Sequence, residues 1–212
     1  MNVSEQVAGH LLRIGAVFLR PKDPFTWASG IKSPVYCDNR LILSDPEARD
    51  FIERALSELV KEKFRDVDVI VGTATAGIAH AAIIADKLRL PMAYVRAGNK
   101  EHGRQNLIEG KIEAGNRVVV VEDLISTAGS SLKVCDNLVE AGAEVLGLVS
   151  IFTYRMKAAE ENLAAKNMTS YSLCDLDTIA EQAIKEGYIR REEKEKLLKF
   201  RDNPQDESWI QA

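Results

Sequence analysis

Apolar residues near the start of the chain recur every three or four positions, as they do along one face of a helix. They are Val7, Leu11, Ile14 and Phe18. This spacing predicts an amphipathic helix over residues 3–19. A second helix is predicted from residue 46 to about residue 64, because the sequence Ser-Asp-Pro-Glu at residues 44–47 supplies a capping side chain, a proline and an acid for its first turn.

From residue 67 onward, short apolar runs alternate with helical segments. Four runs are predicted as strands, at residues 67–71, 91–95, 117–121 and 144–152. Helices are predicted at residues 76–88 and 130–141. Nearly continuous apolar strands that alternate with helices indicate an α/β fold, with a parallel sheet covered on both faces.

Two polar stretches complete the expected organisation. Residues 97–116 have four glycines and no clear period, so we expect a functional loop or a β-hairpin flap there. The stretch after residue 155 is charged and helical in pattern, as a solvated helical tail would be. We therefore predict a single domain over residues 1–212, with an N-terminal hood (about 1–45), a core (about 46–155) and a helical tail (about 156–212).

Composition removes several classes of protein. The 28 basic and 32 acidic residues give a formal charge of -4, which is unfavourable for holding a nucleic-acid backbone. Three cysteines without CxxC spacing fit neither a disulfide framework nor a zinc site, and they suit a reducing cytosol. The chain has no apolar run of the roughly 20 residues that a membrane span needs, and its start is a poor signal peptide. We expect a soluble cytoplasmic protein with no nucleic-acid or membrane partner.

The most informative segment is residues 118–131. An apolar strand there ends in Glu122 and Asp123 and is followed by Leu-Ile-Ser-Thr-Ala-Gly-Ser-Ser, where a helix begins. In open α/β sheets, ligands bind at the carboxyl ends of the strands, and a helix N-terminus favours phosphate. The carboxylates suit ribose hydroxyls or a metal ion carried by the ligand. An ordinary β–α turn with a helix cap is the alternative for any one of these residues, but the whole string favours a site for a sugar phosphate.

Two further segments could bind a diphosphate, and each also has a simpler structural interpretation. Residues 72–77 form a glycine-bounded loop that could turn backbone N–H groups toward a diphosphate, or could be a tight turn; Ile78 stands where a P-loop would need lysine. Residues 96–104 bring together cationic side chains that suit a leaving diphosphate, or that could simply be a solvated charged loop.

These segments together resemble a known family. Residues 122–131 resemble the phosphoribosyl pyrophosphate signature of type I phosphoribosyltransferases. Residues 25–30 and 33–36 are similar to the orotate-side hood of the orotate phosphoribosyltransferases within that group. Residues 72–78 resemble their pyrophosphate loop, and residues 96–103 their mobile catalytic loop. The resemblance covers about residues 10–155.

The resemblance implies a Rossmann-like parallel sheet flanked by helices, the type I phosphoribosyltransferase fold, with a small N-terminal hood and a flexible loop. The implied reaction transfers the 5-phosphoribosyl group from phosphoribosyl pyrophosphate to orotate, giving orotidine 5'-monophosphate and pyrophosphate in pyrimidine biosynthesis. Mg²⁺ is the implied cofactor, carried by the substrate diphosphate with no metal site on the protein. A homodimer is implied too, with Arg96 reaching the neighbouring active site.

The resemblance also assigns roles to individual residues. Catalytic roles fall to Lys100 and His102, and contacts with orotate to Ser126 and Arg155. The residues expected to bind phosphoribosyl pyrophosphate are Arg96, Lys100, His102, Glu122, Asp123, Leu124, Ile125, Ser126, Thr127, Ala128, Gly129 and Ser130.

The sequence departs from the family pattern where lysines are common. Ala97 follows the loop arginine, Ala28 stands in the hood, and Thr75-Ala76 replaces Tyr-Lys in the pyrophosphate loop. The missing cations could weaken diphosphate binding, shift that task to Arg96, Lys100 and Mg²⁺, or mark a subgroup. Two other functions stay open: a phosphoribosyltransferase for another base, and a non-catalytic regulator of this fold that senses phosphoribosyl pyrophosphate.

Overall fold

The structure is a computed structural model that describes residues 1–27, 29–96 and 107–211. Its helices are α1 (Val3–Arg13), α2 (Pro46–Lys63), α3 (Ala76–Leu88), α4 (Gly129–Glu140), α5 (Lys157–Ala165), α6 (Leu176–Lys185) and α7 (Lys194–Asp202). Its strands are β1 (Val17–Leu19), β2 (Phe25–Thr26), β3 (Lys32–Ser33), β4 (Val35–Cys37), β5 (Val69–Thr73), β6 (Met92–Val95), β7 (Ile108–Glu109), β8 (Arg117–Ile125), β9 (Glu144–Thr153) and β10 (Ser170–Asp175).

The central sheet has the strand order β10-β9-β8-β5-β6-β7. Its strands run parallel except for β7, which pairs antiparallel with β6. The valines of β8 alternate between the two faces: Val119 and Val121 belong to the apolar core that includes residues of α1, α2 and α3, while Val118 and Val120 belong to the core that includes residues of α4. This two-sided burial explains the continuous apolar runs and confirms the predicted α/β class.

The order in which the strands are connected reverses between the parallel strands β5 and β8. These strands are neighbours, yet β5 leads to β6 on one side of the sheet and β8 leads to β9 on the other. The loops after their carboxyl ends therefore diverge and leave a crevice at the switch point, the usual ligand position in such sheets.

The hood differs from its predicted form at the end of α1. The helix stops at Arg13 instead of continuing to residue 19, because Gly15 takes a φ of 67° and turns the chain. Residues 17–19 become β1, which pairs antiparallel with β4. A 3-10 helix over Asn39–Ser44 then leads back to the core.

The tail also differs from its predicted form. It contains a strand, β10, that lies parallel to β9 at the edge of the central sheet. The prediction of a helical tail missed it because its six residues, Ser-Tyr-Ser-Leu-Cys-Asp, include only a short apolar stretch. After α7, Trp209 is buried against Phe200, so the end of the tail packs on the core. No helix in the described parts of the chain is long and apolar enough to cross a membrane.

Candidate active site at the carboxyl edge of the sheet

A cleft of about 640 Å³ opens at the switch point between β5 and β8. Residues from the ends of three strands and from one face of α4 line it: Thr73, Ala74, Thr75, Ala76, Val95, Arg96, Leu107, Glu122, Asp123, Leu124, Ser126, Ser130, Lys133, Val134 and Asn137. Both segments with predicted phosphate chemistry thus border one cavity.

The turn between β8 and α4 presents a helix N-terminus to this cleft. Ala128 precedes α4 with a φ of 63°, and its side chain does not cap the helix. The first N–H groups of a helix lack intrahelical partners and favour an anion. Asn162 of α5 braces the turn by donating its side-chain N–H to the carbonyl of Thr127 at 2.9 Å. This geometry suits a phosphate group.

Glu122 is buried at the base of the turn. Its Oε1 accepts the backbone N–H of Asp123 at 3.0 Å, and its Oε2 accepts the Ser131 hydroxyl at 3.0 Å. Burial, together with the neighbouring Asp123 carboxylate, raises the pKa of Glu122 to about 7. Glu122 therefore joins the end of β8 to the first turn of α4 and can change its charge near neutral pH.

Asp123 lies beside Glu122 but is more exposed to the cleft. Its backbone is held on both sides: its N–H bonds Glu122, and its carbonyl accepts the side-chain N–H of Asn39 at 2.7 Å. Among the predicted residues of this segment, Leu124, Ser126 and Ser130 also line the cleft. Ile125 and Ala128 instead pack with Leu132 and Ala159, while Thr127 and Gly129 are exposed.

The turn between β5 and α3 forms the facing wall. Thr73 donates its hydroxyl to the carbonyl of Val121 at 3.2 Å, which ties β5 to β8. A Cβ on Gly77 would lie 2.5 Å from both the Thr73 hydroxyl and the Val121 carbonyl, so only glycine lets α3 approach the sheet this closely. Thr75 precedes α3 without a side-chain cap. Backbone N–H groups are therefore what this wall can offer to an anion.

Basic side chains border the cleft at two places. Arg96 lies at the rim, where its guanidinium pairs with Glu109 at 3.2 Å. Lys133 and Asn137 project from α4 and are not among the residues predicted for the site from sequence. Their spacing from Ser130 along one helix face is the signal that could have found them. The predicted catalytic residues Lys100 and His102, together with Ala28 and Ala97, lie outside the described residues.

Arg155 does not line this cleft. It has a φ of 55°, and its guanidinium lies 3.6 Å from Asp175 at the end of β10. There it lines a second cavity of about 290 Å³. The preceding residue, Tyr154, is buried, with its ring centroid 5.6 Å from that of Trp27 in the hood. The contact between Arg155 and orotate stays a prediction.

The described residues contain no group of three or more His, Cys, Asp or Glu side chains placed to hold a metal ion. The carboxylates that line the described part of the cleft are those of Glu122 and Asp123. This donor set fits a Mg²⁺ ion that arrives on phosphate oxygens and keeps several waters, as that ion prefers.

Comparison with known proteins agrees with this geometry. The family model described as "Phosphoribosyl transferase domain" matches residues 41–184. The chain is 58% identical to the orotate phosphoribosyltransferase of Bacillus cytotoxicus, over 99% of this chain and 100% of that one.

Solved structures match as well. The orotate phosphoribosyltransferase from Aeropyrum pernix superposes with a TM-score of 0.75 at 32% identity, covering 86% of this chain and 99% of that one. The Leishmania donovani UMP synthase has the same fold, with a TM-score of 0.81 at 24% identity; the match covers 94% of this chain and 42% of that one.

Proposed function

The chain belongs to the orotate phosphoribosyltransferase family, and from that premise we propose that its cleft transfers the phosphoribosyl group of phosphoribosyl pyrophosphate to orotate. The products are orotidine 5'-monophosphate and pyrophosphate, as pyrimidine biosynthesis requires. The observation that carries this proposal is the β8–α4 turn, which sets two adjacent carboxylates and an uncapped helix N-terminus on one cavity.

The donor binds between the two turns in this proposal. Its 5'-phosphate sits against the N-terminus of α4, where Ser126 and Ser130 add hydroxyl groups. Its ribose hydroxyls bond to Asp123 and, when it is ionised, to Glu122. Its diphosphate faces the β5–α3 turn, whose wall offers backbone N–H groups.

The reaction is a substitution at C1' of the ribose. The orotate ring nitrogen forms the new bond to C1' and releases its proton to solvent, while the bond from C1' to the diphosphate oxygen breaks and its electron pair leaves with pyrophosphate. Lys100 and His102 stabilise the charge that grows on this leaving group, and Arg96 adds to their effect. Mg²⁺ bound to the diphosphate supplies further neutralising charge. The protein therefore acts mainly by positioning and electrostatics.

A homodimer is part of the proposal, with Arg96 of each subunit serving the cleft of its neighbour. The position of Arg96 at the rim, with its side chain 39% exposed, supports this assignment. Mixing Arg96→Ala with Lys100→Ala should restore part of the activity, because some heterodimers carry one intact site. Subunits that exchange without any return of activity would contradict a shared site.

We place the reaction in the cytoplasm, which suits three free cysteines.

The direct experiment follows orotate by its ultraviolet absorbance with purified protein, phosphoribosyl pyrophosphate and Mg²⁺. Absorbance should fall with Mg²⁺ present and stay constant after chelation, and added Mg²⁺ should restore the rate. Uracil, which lacks the carboxylate of orotate, is the matched control base. A protein that binds phosphoribosyl pyrophosphate but leaves orotate unchanged would contradict the proposal and favour another base or a regulator.

A further inference from the structure

Asn39 links the hood to the carboxyl end of β8. It begins the 3-10 helix that follows β4, and it is fully buried. Its Nδ2 donates to the carbonyl of Asp123 at 2.7 Å, across 84 positions of the chain. Its Oδ1 accepts the thiol of Cys37 at 3.2 Å. A buried polar side chain with partners on both sides is typical of a structural constraint rather than of chance burial.

The orientation of the Asn39 amide follows from its partners. A carbonyl can only accept, so the amide nitrogen must face Asp123 and the amide oxygen must face Cys37. Burial raises the pKa of the Cys37 thiol well above its ordinary value, so the thiol keeps its proton and can donate to this oxygen. Each atom of the amide therefore has one defined role.

These bonds continue through Asp123 into the site. The Asp123 N–H donates to Glu122, and Glu122 accepts the hydroxyl of Ser131 in the first turn of α4. The backbone of Asp123 is thus fixed from the hood on its carbonyl side and from α4 on its N–H side. A carboxylate that must meet ribose hydroxyls at hydrogen-bond distance depends on such support.

We propose that Asn39 is a positioning residue that, with the Cys37 thiol behind it, holds the main chain of Asp123 so that its carboxylate meets the ribose of phosphoribosyl pyrophosphate. This role rests on the proposed function. Asn39 touches no substrate, so its loss acts on donor affinity through Asp123. Removing its side chain takes away the donor to the half-buried Asp123 carbonyl, and the strand end is then free to shift.

The test measures the Kd of phosphoribosyl pyrophosphate with Mg²⁺ by calorimetry, together with kcat and Tm. Asn39→Ala and Asn39→Asp should raise this Kd about tenfold, because each removes the donor that holds the Asp123 carbonyl, while kcat at saturation changes by less than about threefold. Cys37→Ala should raise the Kd by a smaller factor, about twofold to threefold. Cys37→Ser keeps a donor and should restore wild-type affinity.

Two controls separate positioning from general loss of stability. Ile179→Val and Leu197→Ala remove buried groups in α6 and α7, and they bracket a mild and a larger fall in Tm. If either control raises the Kd as Asn39→Ala does at a matched fall in Tm, the role is overturned. Wild-type affinity in Asn39→Ala would overturn it too.

Should Asn39→Ala fail to fold, the pair Cys37→Ala and Cys37→Ser decides, since equal affinities in the two contradict the role. A wild-type protein that neither binds phosphoribosyl pyrophosphate nor turns over orotate would defeat the proposed function itself. Wild-type turnover with unchanged affinity in the variants would defeat only the role of Asn39.

Discussion

Two turns face each other across the cleft, and they present different kinds of binding group to it. The β5–α3 turn and the β8–α4 turn each join a central parallel strand to a helix whose N-terminus has no side-chain cap. The β8–α4 turn adds two carboxylates and several hydroxyls. The β5–α3 turn, residues 73–76, reads Thr-Ala-Thr-Ala and adds little beyond its backbone.

The difference follows from what each turn is proposed to bind. A ribose needs side-chain acceptors at fixed positions, so the β8–α4 turn is built from particular functional groups held by Asn39 and Ser131. A diphosphate can be met by backbone N–H groups, so the β5–α3 turn is built from residues small enough for close approach. One wall of the cleft therefore depends on functional side chains, and the other depends on side chains small enough to expose the backbone.

The same difference leaves a deficit of positive charge at the diphosphate. No residue of the β5–α3 turn is a cation, and the carboxylates on the other wall are repelled by phosphate. Arg96 and Lys133 are the cations that the structure brings to the cleft within its described residues. The proposed function therefore depends on cations outside the two turns, above all Lys100.

The largest expected effect comes from removing that cation. Lys100→Ala should lower kcat by about a hundredfold to a thousandfold, because one donor to developing charge is worth about that much. The Kd of phosphoribosyl pyrophosphate should change by less than about threefold, because the charge that Lys100 meets grows mainly in the transition state. Steady-state kinetics and calorimetry measure the two quantities.

Lys111 provides the matched control for Lys100. Its side chain is 83% exposed and pairs with Glu113 away from the cleft, so Lys111→Ala should leave both constants unchanged. Equal losses of kcat and affinity in Lys100→Ala would contradict a role confined to the transition state.

The next largest effect is expected from adding a side chain at the closely packed β5–α3 turn. Gly77→Ala should lower the free energy of unfolding by about 1–3 kcal/mol, because the new methyl would meet two oxygen atoms at 2.5 Å. Donor affinity should fall as well, since α3 must move away from β8. Gly9→Ala in α1 is the control: its Cβ would meet its nearest neighbour at 3.4 Å, so stability should hold or rise. Urea denaturation compares the two, and an unchanged Gly77→Ala would show that the close packing is dispensable.

The contrast between the turns also explains what the sequence could predict. Glu122, Asp123 and the hydroxyls after them carry chemistry in their side chains, so the β8–α4 turn and its approximate boundaries could be predicted locally. The helix predicted over residues 76–88 agrees with α3 as observed. The apolar strands were predicted because both faces of the sheet are buried.

What the sequence could not predict depends on distant contacts. In the sequence, Asn39 has the features of an ordinary turn residue, and only the fold brings it to Asp123. Strand β10 is stable because β9 lies beside it. Arg155 follows the fourth predicted strand in sequence, but its left-handed backbone and its proximity to Asp175 of β10 are set by the fold. Such outcomes require tertiary partners that local patterns do not contain.

A smaller effect, on donor affinity, is expected from changing a carboxylate of the β8–α4 turn. Asp123→Asn should raise the Kd of phosphoribosyl pyrophosphate about tenfold, because a neutral amide is a weaker acceptor for ribose hydroxyls than a carboxylate. Asp136→Asn in α4 is the control, since Asp136 pairs with Lys166 at 2.7 Å outside the cleft. Calorimetry should separate the two variants clearly. Wild-type affinity in Asp123→Asn would remove the ribose assignment.

The smallest effect concerns the charge of Glu122. The pKa of this carboxyl is raised from 4.5 to about 7 in the folded protein, so between these values the folded state holds a proton that the unfolded state has released. The free energy of unfolding must then fall as pH rises through this window and level off above it.

Glu122→Gln keeps partners for Asp123 and Ser131 but cannot titrate, so this variant should lose the pH dependence. Between pH 6 and pH 8, the wild-type protein should lose about 1 kcal/mol more stability than Glu122→Gln, as measured by urea denaturation. Glu140→Gln, at the exposed far end of α4, should follow the wild-type curve. Parallel curves for wild-type and Glu122→Gln would mean that Glu122 is ionised throughout this range, and both carboxylates of the turn would then be permanent acceptors for the ribose.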